Sequence, residues 1–89
     1  MDIPEPTIQD ILNRLRRVEG QIRGIQQMLV DKRECRDVVT QISAASKALD
    51  QAGFKLVASG LTYCVNDPER AAQEGYAIED VQKMFMKLA

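Results

Sequence analysis

Hydrophobic residues in the first third of the chain recur at alternating steps of three and four, the period of a helix packed against other helices. The positions are Ile8, Ile11, Leu15, Val18, Ile22, Ile25 and Leu29. Thr7 and Asp10 resemble a helix N-cap in front of this pattern, and two prolines indicate an irregular segment before it. The pattern therefore predicts a flexible arm over residues 1–6, followed by a long first helix.

A second heptad pattern follows the polar connection at residues 31–34. Its positions are Val38, Ile42, Ala45, Leu49, Ala52 and Leu56. A connection of four residues forces two helices to fold back on each other as an antiparallel hairpin. Many of the intervening residues are alanine or serine, which permit close helix pairing. We expect a second helix from about Cys35 to about Cys64.

The last quarter of the chain has the signals of a third helix in two pieces. Asp67 and Pro68 are a typical N-cap and first helical residue, and Gly75 ends or kinks the piece that follows. A short amphipathic pattern then uses Ile78, Val81, Met84, Phe85 and Leu88. No strand pattern is present. The sequence predicts an all-α fold as a single domain over residues 1–89.

The amino-acid composition indicates that the chain needs a second subunit to complete its core. Hydrophobic residues make up 45% of the 89 positions, but only 4% are aromatic, so the core must be aliphatic. Such a core in a short chain often needs a second subunit to complete its burial. There is no apolar run of membrane-spanning length, and the acidic N-terminus lacks the apolar core of a signal peptide. We expect a cytoplasmic homo-oligomer with reduced thiols and no membrane association.

Charge is distributed unevenly, although the formal net charge is only −1. Residues 11–36 carry seven basic and three acidic side chains, whereas the remainder of the chain is acidic. A basic segment of this kind is compatible with binding to phosphates. Charge alone nevertheless favours a solvated helix face over a DNA-binding surface.

The two cysteines cannot meet within one helix. Cys35 and Cys64 are 29 residues apart, which corresponds to roughly 43 Å along a continuous helix. A disulfide needs Cα atoms within about 7 Å. Each cysteine alone is typical of a small buried hydrophobe. Two copies of the helix packed antiparallel would instead place Cys35 of one subunit beside Cys64 of the other, which favours a sensing site shared between subunits.

The residues of this shared site limit its chemistry. The helix N-terminus and the neighbouring Arg33 and Arg36 favour a thiolate at Cys35. We therefore expect Cys35 to be the attacking nucleophile and Cys64 to be the resolving thiol. The chain has no histidine, and two thiolates do not provide the four ligands of structural zinc. Nickel and cobalt sensing would normally need imidazoles. Two soft sulfurs can hold Cu(I).

No nucleophile–base pair stands out, so we do not expect an enzyme.

Two segments resemble a known family. The sequences RLRRVEGQIRGI at residues 14–25 and CRDVVTQISA at residues 35–44 are similar to the first-helix and second-helix signatures of the copper-sensitive operon repressor family (CsoR/RcnR). The resemblance covers about residues 7–88. It implies a three-helix protomer, an antiparallel dimer and a dimer-of-dimers tetramer. It also implies a repressor that binds operator DNA without a helix-turn-helix and is released by its inducer.

The resemblance also bears on the inducer. The family's copper sensors bind Cu(I) with a cysteine and with a histidine placed four residues before a second cysteine. Cys35 and Cys64 match these cysteines, but Gly60 stands where the histidine is expected. Nickel/cobalt and formaldehyde sensors of the family use that histidine too. Two cysteines without it resemble the persulfide-sensing, CstR-like branch, in which the paired cysteines become joined between subunits by disulfide or polysulfide links.

The sequence therefore predicts a transcriptional repressor released by persulfide or another sulfane-sulfur species, with no cofactor. A Cu(I)-responsive repressor that uses the two cysteine thiolates is the alternative, and a helical interaction module without sensing remains open. By resemblance, the contacts with double-stranded operator DNA are Arg14, Arg17 and Gln21, which share one helix face. Arg16 and Arg23 form a neighbouring stripe, and Lys47 and Lys55 on the second helix are secondary candidates. Arginine suits both phosphate and guanine recognition.

Overall fold

The described part of the chain, residues 2–89 of a computed structural model, folds into helices and connections without a strand. The helices are α1 (Glu5–Val30), α2 (Cys35–Asn66), α3 (Pro68–Gln73) and α4 (Ile78–Leu88). The all-α prediction is confirmed. The predicted third helix is present as two separate pieces, α3 and α4. None of the helices within residues 2–89 combines the length and the apolar character needed to cross a membrane.

The expected start of α1 is wrong by two residues. The helix begins at Glu5, inside the segment expected to be an arm, and the carbonyl of Pro4 accepts the backbone N–H groups of Thr7 and Ile8 at 3.0 and 3.1 Å. Pro6 lies in the first turn, where its missing N–H leaves no hydrogen bond unmade. Met1, the first residue of the expected arm, lies outside the described residues.

A tight turn joins α1 to α2 and produces the expected antiparallel hairpin. The N–H of Lys32 donates to Leu29 O at 3.2 Å, and the N–H of Arg33 donates to Met28 O at 2.9 Å. This pair of hydrogen bonds is the Schellman pattern of a helix C-terminus. Lys32 occupies the left-handed position of that motif, with φ 55°, where glycine is the usual residue.

The segment after α2 forms as its turn residues predict. The side chain of Asp67 accepts the N–H of Arg70 at 3.4 Å and so caps α3. Gly75 has φ +85° and turns the chain between α3 and α4. Helix α4 then packs back on α2, where the rings of Phe54 and Phe85 lie 5.5 Å apart between centroids. The chain thus doubles back over the C-terminal half of α2.

Few side chains are buried within one chain. The buried residues are Val18, Val38, Ala45 and Ala52 in the hairpin, Gly60 further along α2, and Cys64, Ala71 and Val81 where α2, α3 and α4 meet. The other heptad positions are half-exposed, including Ile42 at 49% and Leu49 at 50%. The chain measures 54 × 25 × 14 Å. A thickness of 14 Å is little more than one layer of helices, so an apolar face stays uncovered.

Candidate functional site

The two cysteines lie at opposite ends of the same helix. Cys35 is the first residue of α2, and Cys64 is two residues before its end. Because α2 is continuous between them, their backbones are roughly 43 Å apart. Both cysteines are free, with Cys35 exposed and Cys64 buried. Within one chain they therefore cannot form a shared site, as the sequence predicts.

Cys64 lies in a small apolar cluster and is reachable from one side. It packs with Ala71 and Val81, and its Sγ donates to the backbone carbonyl of Tyr76 at 2.6 Å. Cys64 also lines an open cavity of about 400 Å³. The other residues of that cavity are Val65, Pro68, Ala77, Ile78 and Glu79. Cys64 is only 6% exposed, so only a small part of it faces this cavity.

The soft donor atoms that the sequence singled out for a metal are the two thiols at opposite ends of α2. Within residues 2–89, no group of three His, Cys, Asp or Glu side chains is placed to hold a metal ion. Gly60, one turn before Cys64, is buried and offers no side-chain donor. Two thiolates fit the preference of Cu(I) for soft sulfur ligands. They do not fit a four-ligand zinc site.

Most of the residues predicted to contact DNA are exposed. Arg16, Arg17 and Arg23 are exposed on α1, and Lys47 is exposed on α2. Arg16 donates to Asn13 Oδ1 at 3.1 Å, and Arg23 lies 3.7 Å from Glu19. Both are short-range contacts along the helix surface, which leave the guanidinium groups open to solvent. These side chains are therefore accessible to a partner.

The remaining predicted DNA contacts are half-buried at the junction of α1 and α2. Lys55 Nζ forms an ion pair with Asp10, whose other carboxylate oxygen lies 3.5 Å from Arg14 Nε. The hydrogen bond from Lys55 is the main cause that lowers the pKa of Asp10. Gln21 is also half-buried, and its Oε1 has no hydrogen-bond partner within residues 2–89. The structure thus brings together Arg14 and Lys55 through an acidic residue that sequence reasoning missed.

A second polar cluster lies beside Cys64 and was also missed. The hydroxyl of Tyr63 donates to the carboxylate of Glu74, and Arg70 lies 3.2 Å from Asp2. The hydrogen bond to Glu74, followed by burial, raises the pKa of Tyr63 to about 12. The cluster connects the N-terminal segment, α2 and α3. Its members are far apart in sequence, so only the Asp67 cap next to them could be predicted.

A family model described as a metal-sensitive transcriptional repressor matches residues 7–87 of the chain. The chain belongs to this family. The membership confirms the resemblance carried by residues 14–25 and 35–44. It also agrees with the expectation that the protein is not an enzyme, because metal-sensitive transcriptional repressors act in the regulation of transcription.

Curated relatives within the family carry specific names. The copper-sensing transcriptional repressor CsoR of Bacillus subtilis is 38% identical over 77 residues, which cover 86% of this chain and 76% of that protein. The copper-sensing transcriptional repressor RicR of Mycobacterium tuberculosis is 48% identical over 62 residues, which cover 70% of this chain and 62% of that protein.

Solved structures agree with the fold. The copper-sensing repressor CsoR with Cu(I) from Geobacillus thermodenitrificans superimposes with a TM-score of 0.75 at 34% identity, covering 99% of this chain and 88% of that one. The nickel-responsive transcriptional regulator InrS superimposes with a TM-score of 0.73 at 30% identity, covering 91% of both chains.

The expectation that the repressor needs no cofactor is wrong. The two curated relatives are named copper sensors, and one of the similar structures contains Cu(I). The error came from giving the glycine at position 60 more weight than the two sulfurs. Thiolates alone are suitable ligands for Cu(I), so the missing imidazole does not exclude a metal.

Proposed function

We propose that this protein represses transcription by binding operator DNA and releases it when Cu(I) binds between Cys35 of one subunit and Cys64 of the partner subunit. The observation that carries this proposal is the placement of the chain's two thiols at opposite ends of one continuous helix. The named copper-sensing relatives support the choice of metal.

The pairing of subunits is argued from the uncovered apolar face. A groove between α1 and α2 is lined mainly by aliphatic side chains, which are Val18, Ile22, Ile25, Ile42, Ala45 and Leu49. An antiparallel pair of chains with two-fold symmetry would cover this groove on both copies. When the two-fold axis crosses α2 near Leu49, midway between the two cysteines, each Cys35 lies at the level of the partner's Cys64. Such a dimer has two equivalent sites.

The two cysteines would act as a clamp between subunits. Bound Cu(I) would supply a link between two thiolates, which only an ion with soft-ligand preference does with so few donors. To coordinate Cu(I), Cys64 would give up the hydrogen bond that its Sγ donates to the Tyr76 carbonyl. Lys55 lies nine residues before Cys64 on α2, about 14 Å along the helix. A conformational change at Cys64 would therefore occur close enough to Lys55 to affect its position.

The size of the required effect is modest. A hundredfold loss of operator affinity needs a coupling free energy of about 3 kcal/mol between the metal site and the DNA surface. The metal must bind the DNA-free arrangement more tightly than the DNA-bound arrangement by that amount. Bonds from a metal ion to two thiolates are strong enough to provide this difference.

A mixing experiment tests the shared site. Cys35→Ala and Cys64→Ala proteins should each bind almost no Cu(I) in anaerobic competition with a chelator. Random mixing of the two gives mixed dimers in which one of the two sites has both sulfurs, so roughly a quarter of the wild-type capacity should return. A site within one subunit would recover nothing, and that result would overturn the proposal.

Release of DNA is measured in parallel. DNA selected by the reduced protein from a pool of random duplexes serves as the operator probe for fluorescence anisotropy. Cu(I) should lower the affinity of wild-type protein by about a hundredfold and leave both single-cysteine variants bound. An operator affinity of the wild-type protein that does not change when Cu(I) is added would contradict the proposed sensing function.

Persulfide sensing is the second candidate, and Gly60 in place of a histidine is the observation that favours it. An organic persulfide would transfer its outer sulfur to one thiolate and leave as a thiolate. The second thiolate would then displace hydrosulfide and close a disulfide between subunits. Intact mass and a non-reducing gel detect this product directly. Unchanged monomer mass and unchanged operator affinity after persulfide treatment would rule this candidate out.

A further inference from the structure

One carboxylate at the α1–α2 junction is shared by two residues of the proposed DNA surface. Asp10 forms an ion pair with Lys55 of α2 and lies 3.5 Å from Arg14, one turn further along α1. All three side chains are roughly 40% exposed, so the cluster lies at the surface rather than in the core. The three groups together present one positive charge instead of two.

The two basic residues are held unequally. Arg14 Nε lies within ion-pair distance of Asp10 but makes no hydrogen bond there, and the atom itself is buried. Lys55 makes the hydrogen bond with the carboxylate, and this contact is the main cause that lowers the pKa of Asp10. Asp10 therefore neutralises Lys55 chiefly, and Arg14 less completely.

We propose that Asp10 masks Lys55 and Arg14, so that a DNA phosphate must displace its carboxylate before these two residues can bind the backbone. This inference rests on the DNA-binding part of the proposed function. Asp10 itself touches no DNA and acts as a positioning residue through its two basic partners. Since Asp10 belongs to α1 and Lys55 to α2, the masking also depends on how the two helices are aligned.

The salt dependence of DNA binding tests the masking. Each phosphate neutralised by a basic side chain makes the slope of log K against log salt more negative by about 0.9. The probe is a DNA duplex of random sequence, because phosphate contacts carry no sequence information. Asp10→Asn should bind this probe about fivefold more tightly at 0.15 M salt, with a slope steeper by about one.

Charge-matched variants separate masking from a general change in net charge. Glu69→Gln changes the net charge by the same amount, but Glu69 lies on α3, outside the basic segment. This control should keep the wild-type slope. The double variant Asp10→Asn with Lys55→Gln should also return close to the wild-type slope, because it removes both members of the main pair.

Three results would overturn the inference. Asp10→Asn could bind with the wild-type slope, it could bind more weakly, or the Glu69→Gln control could gain as much as Asp10→Asn. If wild-type protein binds the duplex normally in these cases, the proposed function stands and only the masking fails. Wild-type protein without salt-dependent DNA binding would remove both.

A measurement on wild-type protein avoids any dependence on the folding of a variant. The carboxyl carbon of Asp10 is followed by NMR while the duplex is added. Because Asp10 should stay paired with Lys55 in this non-specific complex, its signal should be unchanged at saturation, whereas a shift in step with binding would show that wild-type Lys55 already contacts phosphate and would contradict the expected change in slope.

Discussion

Tyr63 illustrates how a single hydrogen bond changes a side chain next to Cys64. Its hydroxyl donates to the carboxylate of Glu74, and the bond is lost when the tyrosine ionises. The same bond lowers the pKa of Glu74 while it raises the pKa of Tyr63 to about 12. Since the folded-state pKa is higher than the usual 10.0, the contribution to stability is complete below pH 10 and disappears as the pH rises through about 12.

An alkaline titration tests this contact. The chain has two tyrosines, so Tyr76→Phe leaves Tyr63 as the only one and keeps the backbone carbonyl that accepts from Cys64. Tyrosinate absorbance of this variant should rise with a pKa of about 12. Adding Glu74→Gln removes the charged acceptor and should bring the pKa back toward 10.0. Equal midpoints in the two proteins would contradict the contact.

Individual site residues differ in how far the sequence could reveal them. Cys35 and Cys64 could be found because they are the only two cysteines in the sequence and because helix length fixes their separation. Asp10 and Lys55 are 45 positions apart, so their ion pair depends on the alignment of α1 with α2, which the hydrophobic pattern does not specify to the residue. The spacing of Asp10 and Arg14 was visible, but an ion pair four residues apart is common on any helix surface.

At the scale of the elements, the turn between α1 and α2 contains a correctable strain. Lys32 adopts a left-handed conformation, which costs a residue with a Cβ about 1–2 kcal/mol. Glycine adopts this conformation without that cost but loses more backbone entropy on folding. The first effect is the larger, so the balance favours glycine.

Lys32→Gly should therefore raise the free energy of unfolding by roughly 0.5–1 kcal/mol, measured by urea denaturation. Lys32→Ala is the matched control, because it removes the same charge and long side chain but keeps the Cβ. We expect no comparable gain from alanine. A stabilisation of equal size in both variants would show that the lysine side chain, rather than the backbone conformation, is responsible.

The element boundaries show what local signals can specify. The start of α3 and the turn at Gly75 were predicted because Asp67, Pro68 and glycine each have a strong conformational preference. The start of α1 was predicted too late, because Pro6 was taken as part of an irregular arm. Proline is equally suited to the first turn of a helix, and only the hydrogen bonds to the Pro4 carbonyl distinguish the two.

For the whole molecule, surface area and shape both indicate that one chain does not cover its own apolar surface. The chain exposes 6560 Å², whereas a compact monomer of its mass would expose about 5,200 Å². Its radius of gyration is 16.8 Å, against about 12 Å for a compact domain of this length. The excess area includes the half-exposed Ile42 and Leu49 of the α1–α2 groove. Association of subunits remains a prediction that these values support.

Leu49→Asp tests the groove as the subunit interface. Placing a carboxylate at this half-exposed apolar position should convert the dimer to monomer in sedimentation equilibrium and lower the thermal midpoint, since an unpaired charge cannot be buried cheaply. Gln51→Asp, which adds the same charge at an exposed position on α2 outside the groove, should remain dimeric. Wild-type protein that sediments as a monomer would contradict the proposed pairing and the shared site together.

The unbroken length of α2 has a consequence for insertions and deletions. In a two-fold antiparallel pair, the two cysteines stay level only if the axis stays midway between them, so a change in length on one side of the axis must be matched by a shift in the register of the pair. The direction in which the second cysteine points around the axis of the α2 helix also changes, because each added or removed residue turns its sulfur by about 100°. Seven residues amount to nearly two full turns, with a drift of about 20°. Related chains could therefore gain or lose a heptad in α2 and keep two facing thiols when the pair shifts its register, whereas a single-residue change would turn one of them away.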